Sequence, residues 1–405
     1  MIRKFSEVLA VVIALVGSAF AQHVRQFKFS GANGSNPQGG VVFDDAGNLY
    51  GSAYAGGSTN LGVVYEITPT QNGATETVLY EFMGRNNGDG ANPIGDLIFD
   101  QSGNLYGVTQ YGGSLSAACN EELGCGTVFE LSPPLQLGEA WTETVLYRFQ
   151  GDPTDGNEPL AGLVFDSAGN LYGTTAFGGL DNGHCTGCGT VFVLSPPSQS
   201  GGGWTETILY EFQGGSDGYQ PMGGLVFDPA GNLYGTTSLG GEYSGTIFQL
   251  TPPLSQGNWS ETVIHNLFPR TDGSDPVAGL VLIGNTLYGT ASVGGLYGQG
   301  TVFRLFPRPN SGMWTYEVVH NFAGNGDGAR PFSPLTVGSP NTVYGTTYGG
   351  ANVFRITGSG TSGTFSVLCI LSGNPRARVT LSNSAIYGTT VSGSNNNGTV
   401  FQLSH

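Results

Sequence analysis

The heptapeptide GNLYGTT occupies residues 169–175 and returns unchanged at 231–237. Variants begin at Gly47 (GNLYGSA), Gly103 (GNLYGVT), Gly284 (GNTLYGTA), Asn341 (NTVYGTT) and Ser384 (SAIYGTT). A phrase written seven times either performs one chemistry seven times or builds one structural unit seven times. Its tyrosines stand at Tyr50, Tyr106, Tyr172, Tyr234, Tyr288, Tyr344 and Tyr387, so the spacing runs from 43 to 66 residues. That is longer than a helical-repeat period and suits a small sheet with its loops.

The third copy shows the parts of the unit. GLVFD (162–166) is β-branched and aromatic, and reads as a strand. SAGN (167–170) is a turn, and LYGTT (171–175) is a second strand. After the loop 176–188 comes a third strand, GTVFVLS (189–195). PPSQSGGG (196–203) cannot continue a ladder, because proline lacks the donor. WTETILYEF (204–212) is a fourth strand, and 213–221 leads into the next copy. Four hairpin-linked strands make one antiparallel sheet per repeat. The strands are apolar on both faces, so each sheet needs a neighbour on either side, which radial stacking supplies. The expected fold is an all-β, seven-bladed β-propeller of four-stranded antiparallel blades. The segment Phe27 to Gly31 aligns with Tyr80 to Gly84 of a fourth strand, while the chain stops after a third strand, GTVFQLS (398–404). The N-terminal strand is therefore expected to complete the last blade and close the ring.

Composition agrees with this class. The 405 residues include 69 glycines and 11% aromatics, and only 10% are charged, against roughly 25% in ordinary globular chains. A net charge of −16 argues against nucleic acid as a partner, since phosphate binding needs clustered Lys and Arg. Residues 1–21 combine Arg3 and Lys4, an apolar run from Val8 to Val16, and Ala19-Phe20-Ala21. This is the pattern of an export signal cut after Ala21, leaving 22–405 as the propeller. No other stretch is apolar enough to span a bilayer. The expected product is a monomer, secreted or periplasmic within the cell envelope.

The order of segments, a GNLYGTT-like phrase, then paired glycines, then GTVF, resembles the tandem-repeat family of exported bacterial proteins called GloVer, of choice-of-anchor type. It recurs through six copies and nearly the whole of residues 22–405; the seventh, SAIYGTTVSGSNNNGTVF (384–401), lacks the paired glycine. The resemblance implies the repeat architecture and assigns no activity. The family name records varied anchoring signals, and none is expected after the last repeat of this sequence.

Strand alternation puts the paired-glycine (GG) loops and the loops carrying DGxxP on one side of the disc, and the GN turns and Pro-Pro loops on the other. Propellers usually bind on the former side, around the channel. DGxxP occurs at Asp89, Asp155, Asp217, Asp272 and Asp327, with NGSNP at Asn33. One reading is a ring of carboxylates able to hold Ca²⁺ or a cationic ligand. The other is an Asx turn that launches the next strand, which the Asn33 variant and the single acid per loop favour. No metal ligand set is assigned. Cys119 and Cys125 lie in the second GG loop, and Cys185 and Cys188 in the third. In an exported chain these read as two local disulfides, Cys119–Cys125 and Cys185–Cys188, in preference to a zinc site shared between blades. His265, His320 and Cys369 replace the fourth-strand tyrosine found at Tyr80, Tyr147 and Tyr210, and read as core; the tryptophans of the WTET segments read as packing.

Neither a nucleophile elbow, nor HExxH, nor a Walker loop is present. The sequence therefore points to an exported non-enzymatic binding or scaffold propeller, taking an extracellular glycan or protein on the DG/GG face. The alternative is an extracellular polysaccharide lyase or hydrolase with its site at the channel mouth. The loops that break the pattern, from Gly112 to Gly124 and from Gly178 to Gly187, carry Glu121, Glu122, Asp181 and His184, which would shape a site under either reading.

Overall fold

A computed structural model of the chain describes residues 24–404, apart from 71–72, 115, 117, 120–122, 137, 152, 182, 184, 186, 200, 256, 340, 359–362, 383–384 and 394–395. The export signal expected at 1–21 lies outside the described residues. Seven four-stranded antiparallel sheets form a β-propeller. Blade 3 is typical: Val164–Phe165, Leu171–Thr175, Thr190–Ser195 and Thr205–Glu211, numbered first to fourth from the axis outward. The described residues include one helical turn, at Arg85–Asn87. Blade 7 takes Thr380–Leu381, Ala385–Thr390 and Thr399–Ser404 from the C-terminal end and Val24–Lys28 from the N-terminal end. Val24 pairs with Leu403 and Lys28 with Thr399, so the expected closure is present.

Within each blade the glycine of the LYG phrase faces an aromatic ring across the second and third strands. Gly173 is opposite Phe192, Gly235 opposite Phe248, and Gly51 opposite Tyr65. A Cβ built on Gly173 would lie 2.5 Å from the Phe192 ring, and the other copies give distances from 2.4 to 2.6 Å. These glycines do not have positive φ; the ring lying over them is what excludes a side chain. The GN-turn glycines differ. Gly169 has φ +85° and open space around its missing Cβ. There Asp166 Oδ1 accepts the Ala168 and Asn170 amides, while Oδ2 accepts Asn170 Nδ2 and Tyr172 Oη. The same bonding at Asp100 and Asp228 explains why Asp, Gly, Asn and Tyr recur together.

Blades meet through aromatic edges and one repeated backbone contact. Phe212 of blade 3 meets Phe248 of blade 4 at 5.1 Å, and Tyr172 meets Phe227 at 5.0 Å. Trp259 lies against Tyr172, and Trp141, Trp204 and Trp314 make the same contact in their own interfaces. The glycine opening GTVF packs on the DGxxP proline of the next blade: a Cβ on Gly189 would lie 2.5 Å from Pro221 Cδ, and one on Gly398 2.6 Å from Pro37 Cδ. Blade 6 departs from the pattern, with Ala351 taking the left-handed turn (φ 52°) where the other blades have glycine.

Two outcomes follow. Gly173→Ala forces overpacking and should cost about 1–3 kcal/mol in chemical denaturation, with part recovered by Phe192→Leu. Gly169→Ala should cost about 1 kcal/mol through backbone strain, with no recovery from Phe192→Leu and better tolerance of Asn. Equal behaviour of the two glycines would contradict this division. Deleting residues 22–29 leaves Thr399–Ser404 as an open edge. Such a chain should melt earlier and self-associate on a sizing column, and a peptide of residues 22–31 should reverse both changes.

Candidate functional site

The DG/GG face is built in two shells. The outer shell is the set of turns predicted around DGxxP. Asp89 and Asp155 are 6% and 4% exposed, and Asp217 is also buried. Oδ2 of Asp155 accepts Tyr147 Oη (3.0 Å) and the Gln150 amide (2.7 Å), and Oδ1 accepts the Gly156 amide (2.6 Å). Asp89 repeats this with Tyr80, Met83 and Gly90. At Asp217, Oδ2 accepts Tyr210 Oη and the Gln213 amide. In the next two interfaces histidine replaces tyrosine: His265 Nε2 lies 2.8 Å from Asp272 and His320 Nε2 lies 3.2 Å from Asp327. His265 stacks on Tyr316 at 4.1 Å and His320 on Phe365 at 3.8 Å. Cys369 is a free thiol, which burial pushes up to about 11.

The fourth strand of the next blade brings a glutamate to three of these turns. Burial raises Glu143 to about 7, helped by the charge of Asp89. Glu206 rises to about 8 beside Asp155, and Glu261 to about 7 beside Asp217, again with burial as the main cause. Oε1 of each is buried without a hydrogen-bond partner among the described residues. Where histidine replaces tyrosine, the glutamate position holds Tyr316 or Phe365, which supply the stacking face.

The GG loops of blades 2 and 3 carry the two expected disulfides, Cys119–Cys125 and Cys185–Cys188, with Cα separations of 5.0 and 5.4 Å. Asp181 is exposed in the second of these loops. Glu121, Glu122 and His184 lie outside the described residues.

The inner shell is the axis itself, where a cavity of about 670 Å³ is lined from all seven blades. Three short positions in each repeat lead into its wall; the second and most of the third line it, and of the first Asp275 does. Immediately before the proline stand Asn36, Asn92, Glu158, Gln220, Asp275 and Arg330, all left-handed with φ between 53° and 59°. Asn and Asp accept this conformation most readily; Glu, Gln and Arg do so only when other contacts impose it. Here the backbone is held at both ends. The Glu158 amide donates to Cys125 O of the preceding blade, and its carbonyl accepts the Ala176 amide just past the second strand of its own blade. Immediately after the proline come Gln38, Ile94, Leu160, Met222, Val277, Phe332 and Arg376. Two residues further, mostly glycine or proline is found because adjacent inner strands converge: a Cβ on Gly162 would lie 2.8 Å from Asp96 O. The exceptions are Asp96 and Arg378, which pair at 2.7 Å. Asp96 also accepts the Gly40 amide at 2.6 Å.

The wall is thus two-sided. Leu160, Met222 and Val277 form an apolar arc. Across from it, the Arg376 guanidinium lies 5.0 Å over Phe332 and 5.7 Å from Tyr348, with Nη1 donating to Gln38 Oε1 at 3.3 Å. Tyr54 Oη donates to Gln110 Oε1 (2.9 Å), and Gln110 Nε2 donates to Glu158 Oε2 (2.8 Å). These residues were not singled out from sequence. The signal that finds them is variation: aligned on the proline, the flanking positions change in chemistry from copy to copy while the structural positions do not.

The buried glutamates give a pH dependence. Their folded pKa values exceed the ordinary 4.5. Below 4.5 they are protonated in both states; as pH rises towards about 8 they increasingly favour the unfolded chain. His320, held by burial below its ordinary 6.5, acts only at lower pH. The melting temperature should therefore fall between about pH 6.5 and about pH 8.5. The triple variant E143Q/E206Q/E261Q should melt higher at the upper pH and show a flatter profile; an unchanged slope would contradict the assignment.

Comparison with known proteins agrees with this architecture. The model of the Gloeobacter/Verrucomicrobia repeat matches residues 13–200 and 181–401. No curated protein matches the chain. Among solved structures, a protein provisionally assigned as a 6-phosphogluconolactonase from Bacteroides uniformis shares 15% identity, with a TM-score of 0.53 over 86% of this chain and 89% of its own. A second protein so assigned, from Bacteroides fragilis, shares 16% identity with a TM-score of 0.50 over 84% and 86%. The PQQ-bound aldose sugar dehydrogenase of Streptomyces coelicolor shares 14% identity with a TM-score of 0.46 over 95% and 98%. At these identities the likeness is one of fold. Matched from end to end of its repeats, the chain belongs to the Gloeobacter/Verrucomicrobia repeat family.

Proposed function

We propose that the protein is an exported, non-enzymatic binding propeller whose ligand, an extracellular glycan, enters the central cavity from the DG/GG face. One observation carries this reading. In a chain whose blades otherwise repeat, the positions around the cavity depart from the repeat, giving an apolar arc facing Arg376, Gln38, Tyr54 and Gln110. Folding alone does not require that asymmetry. A concave site of this size with a few converging polar groups is the usual form of a small-ligand site. The same face exposes Tyr243, Phe268 and Tyr297, with the first two rings 4.2 Å apart. Exposed rings of this kind suit the apolar faces of sugars. Two carboxylates, Asp275 in the cavity wall and Glu158 bonded to the wall residue Gln110, favour a second reading, a polysaccharide lyase or hydrolase, because glycosidic chemistry uses a pair of acids.

The test is a glycan-array screen on residues 22–405, with and without Ca²⁺, followed by product analysis of each hit. Binding without turnover is expected, and it should be lost in Leu160→Trp, which fills the cavity from its apolar arc. Binding that survives Leu160→Trp would place the ligand elsewhere. Turnover lost on Glu158→Gln would put the enzymatic reading first, and Ca²⁺ dependence would bring the DG aspartates into the site.

A further inference from the structure

We infer that the ligand of this cavity carries a single carboxylate, as in a glycan ending in one uronic acid, and that Arg376 receives it. The inference rests on the channel-binding reading above and adds the charge of the ligand. The chain has only 13 basic residues against 29 acidic ones. Two of the 13, Arg376 and Arg378, line the cavity, and a third, Arg330, stands before the proline on the neighbouring blade. Arg378 is neutralised by Asp96. Arg376 has no carboxylate partner among the described residues; its described contacts are the two ring faces and the Gln38 amide oxygen.

Those contacts hold the guanidinium plane without using up its charge. A guanidinium fixed by stacking presents its remaining N–H groups as a planar fork, which matches the two oxygens of a carboxylate. Among the described residues that line the cavity, Arg376 is the cation without a carboxylate partner, and the positions before the prolines add two acids, Glu158 and Asp275, against one base, Arg330. A dianionic phosphate or a polyuronate would be left with charge facing carboxylates, whereas one carboxylate meets one guanidinium. The Tyr54–Gln110–Glu158 chain then offers donors and acceptors to hydroxyl groups, and Leu160, Met222 and Val277 cover an apolar ring face.

The experiment is calorimetric titration of residues 22–405 with an aldobiouronic acid (glucuronic acid linked to one neutral sugar), the matching neutral disaccharide, and glucose 6-phosphate. The acid should bind about tenfold or more tightly than the neutral sugar, the value of one charged hydrogen-bonded contact. Glucose 6-phosphate should bind more weakly than the acid. Arg376→Gln, with an unchanged melting temperature, should remove the preference, so that the variant binds acid and neutral sugar alike, and Arg376→Lys should keep part of it. Equal affinity for acid and neutral sugars, preference for the phosphate, no binding of the acid, or a preference that survives Arg376→Gln would each overturn the inference. Leu160→Trp separates the two levels. If it abolishes binding of a neutral sugar that shows no acid preference, the cavity reading stands and the carboxylate assignment fails. If binding survives it, the cavity reading fails as well.

Discussion

Every blade depends on one close approach: an aromatic ring from the third strand lying over a glycine of the second. A side chain at Gly173 or Gly235 would meet the facing ring at 2.5 Å. Because the ring occupies that space, phenylalanine can be fully buried within the sheet and still present an edge to the blade behind it. Phe149 against Phe192 and Phe212 against Phe248 are that next contact. The same strand then delivers the GTVF glycine to the proline of the following blade, which sets the start of the next inner strand. Fold, stacking and the position of the channel wall therefore share one origin.

The outer shell converts polar residues into structure. Aspartates of the DG loops accept two or three hydrogen bonds within their own turn, and the residue that donates from the fourth strand is matched to the residue arriving from the next blade. Tyrosine goes with glutamate, as in Tyr147, Asp155 and Glu206; histidine goes with an aromatic, as in His320, Asp327 and Phe365. This pairing accounts for the two fourth-strand histidines without a catalytic role.

The blades, their number and the N-terminal closure were legible in the sequence because turns and alternation are local, and because seven copies allow each signal to be checked against the others. The two loop disulfides were legible from proximity along the chain. The channel wall was not. Gln38, Tyr54, Phe332 and Arg376 come together only when blades 6, 7 and 1 meet around the axis, and no spacing along the chain reports that. The burial of the DG aspartates was half legible: the turn was visible, while the tyrosine closing it from eight residues upstream, as at Tyr147 and Asp155, depends on a hairpin geometry that sequence does not state. Glu121, Glu122 and His184 lie outside the described residues; in the pattern-breaking loops the described features are Asp181 and the two disulfides.

The central claim is that recognition resides where the repeats differ, on the axis, and that the repeated positions serve the fold. Hydrogen–deuterium exchange of residues 22–405, with and without a bound glycan, tests it most directly. Protection confined to the starts of the inner strands and the ends of the second strands, around 36–40, 54–55, 158–162 and 374–378, is the predicted result. Protection centred on the GN turns, the Pro-Pro loops or the outermost strands would contradict the account.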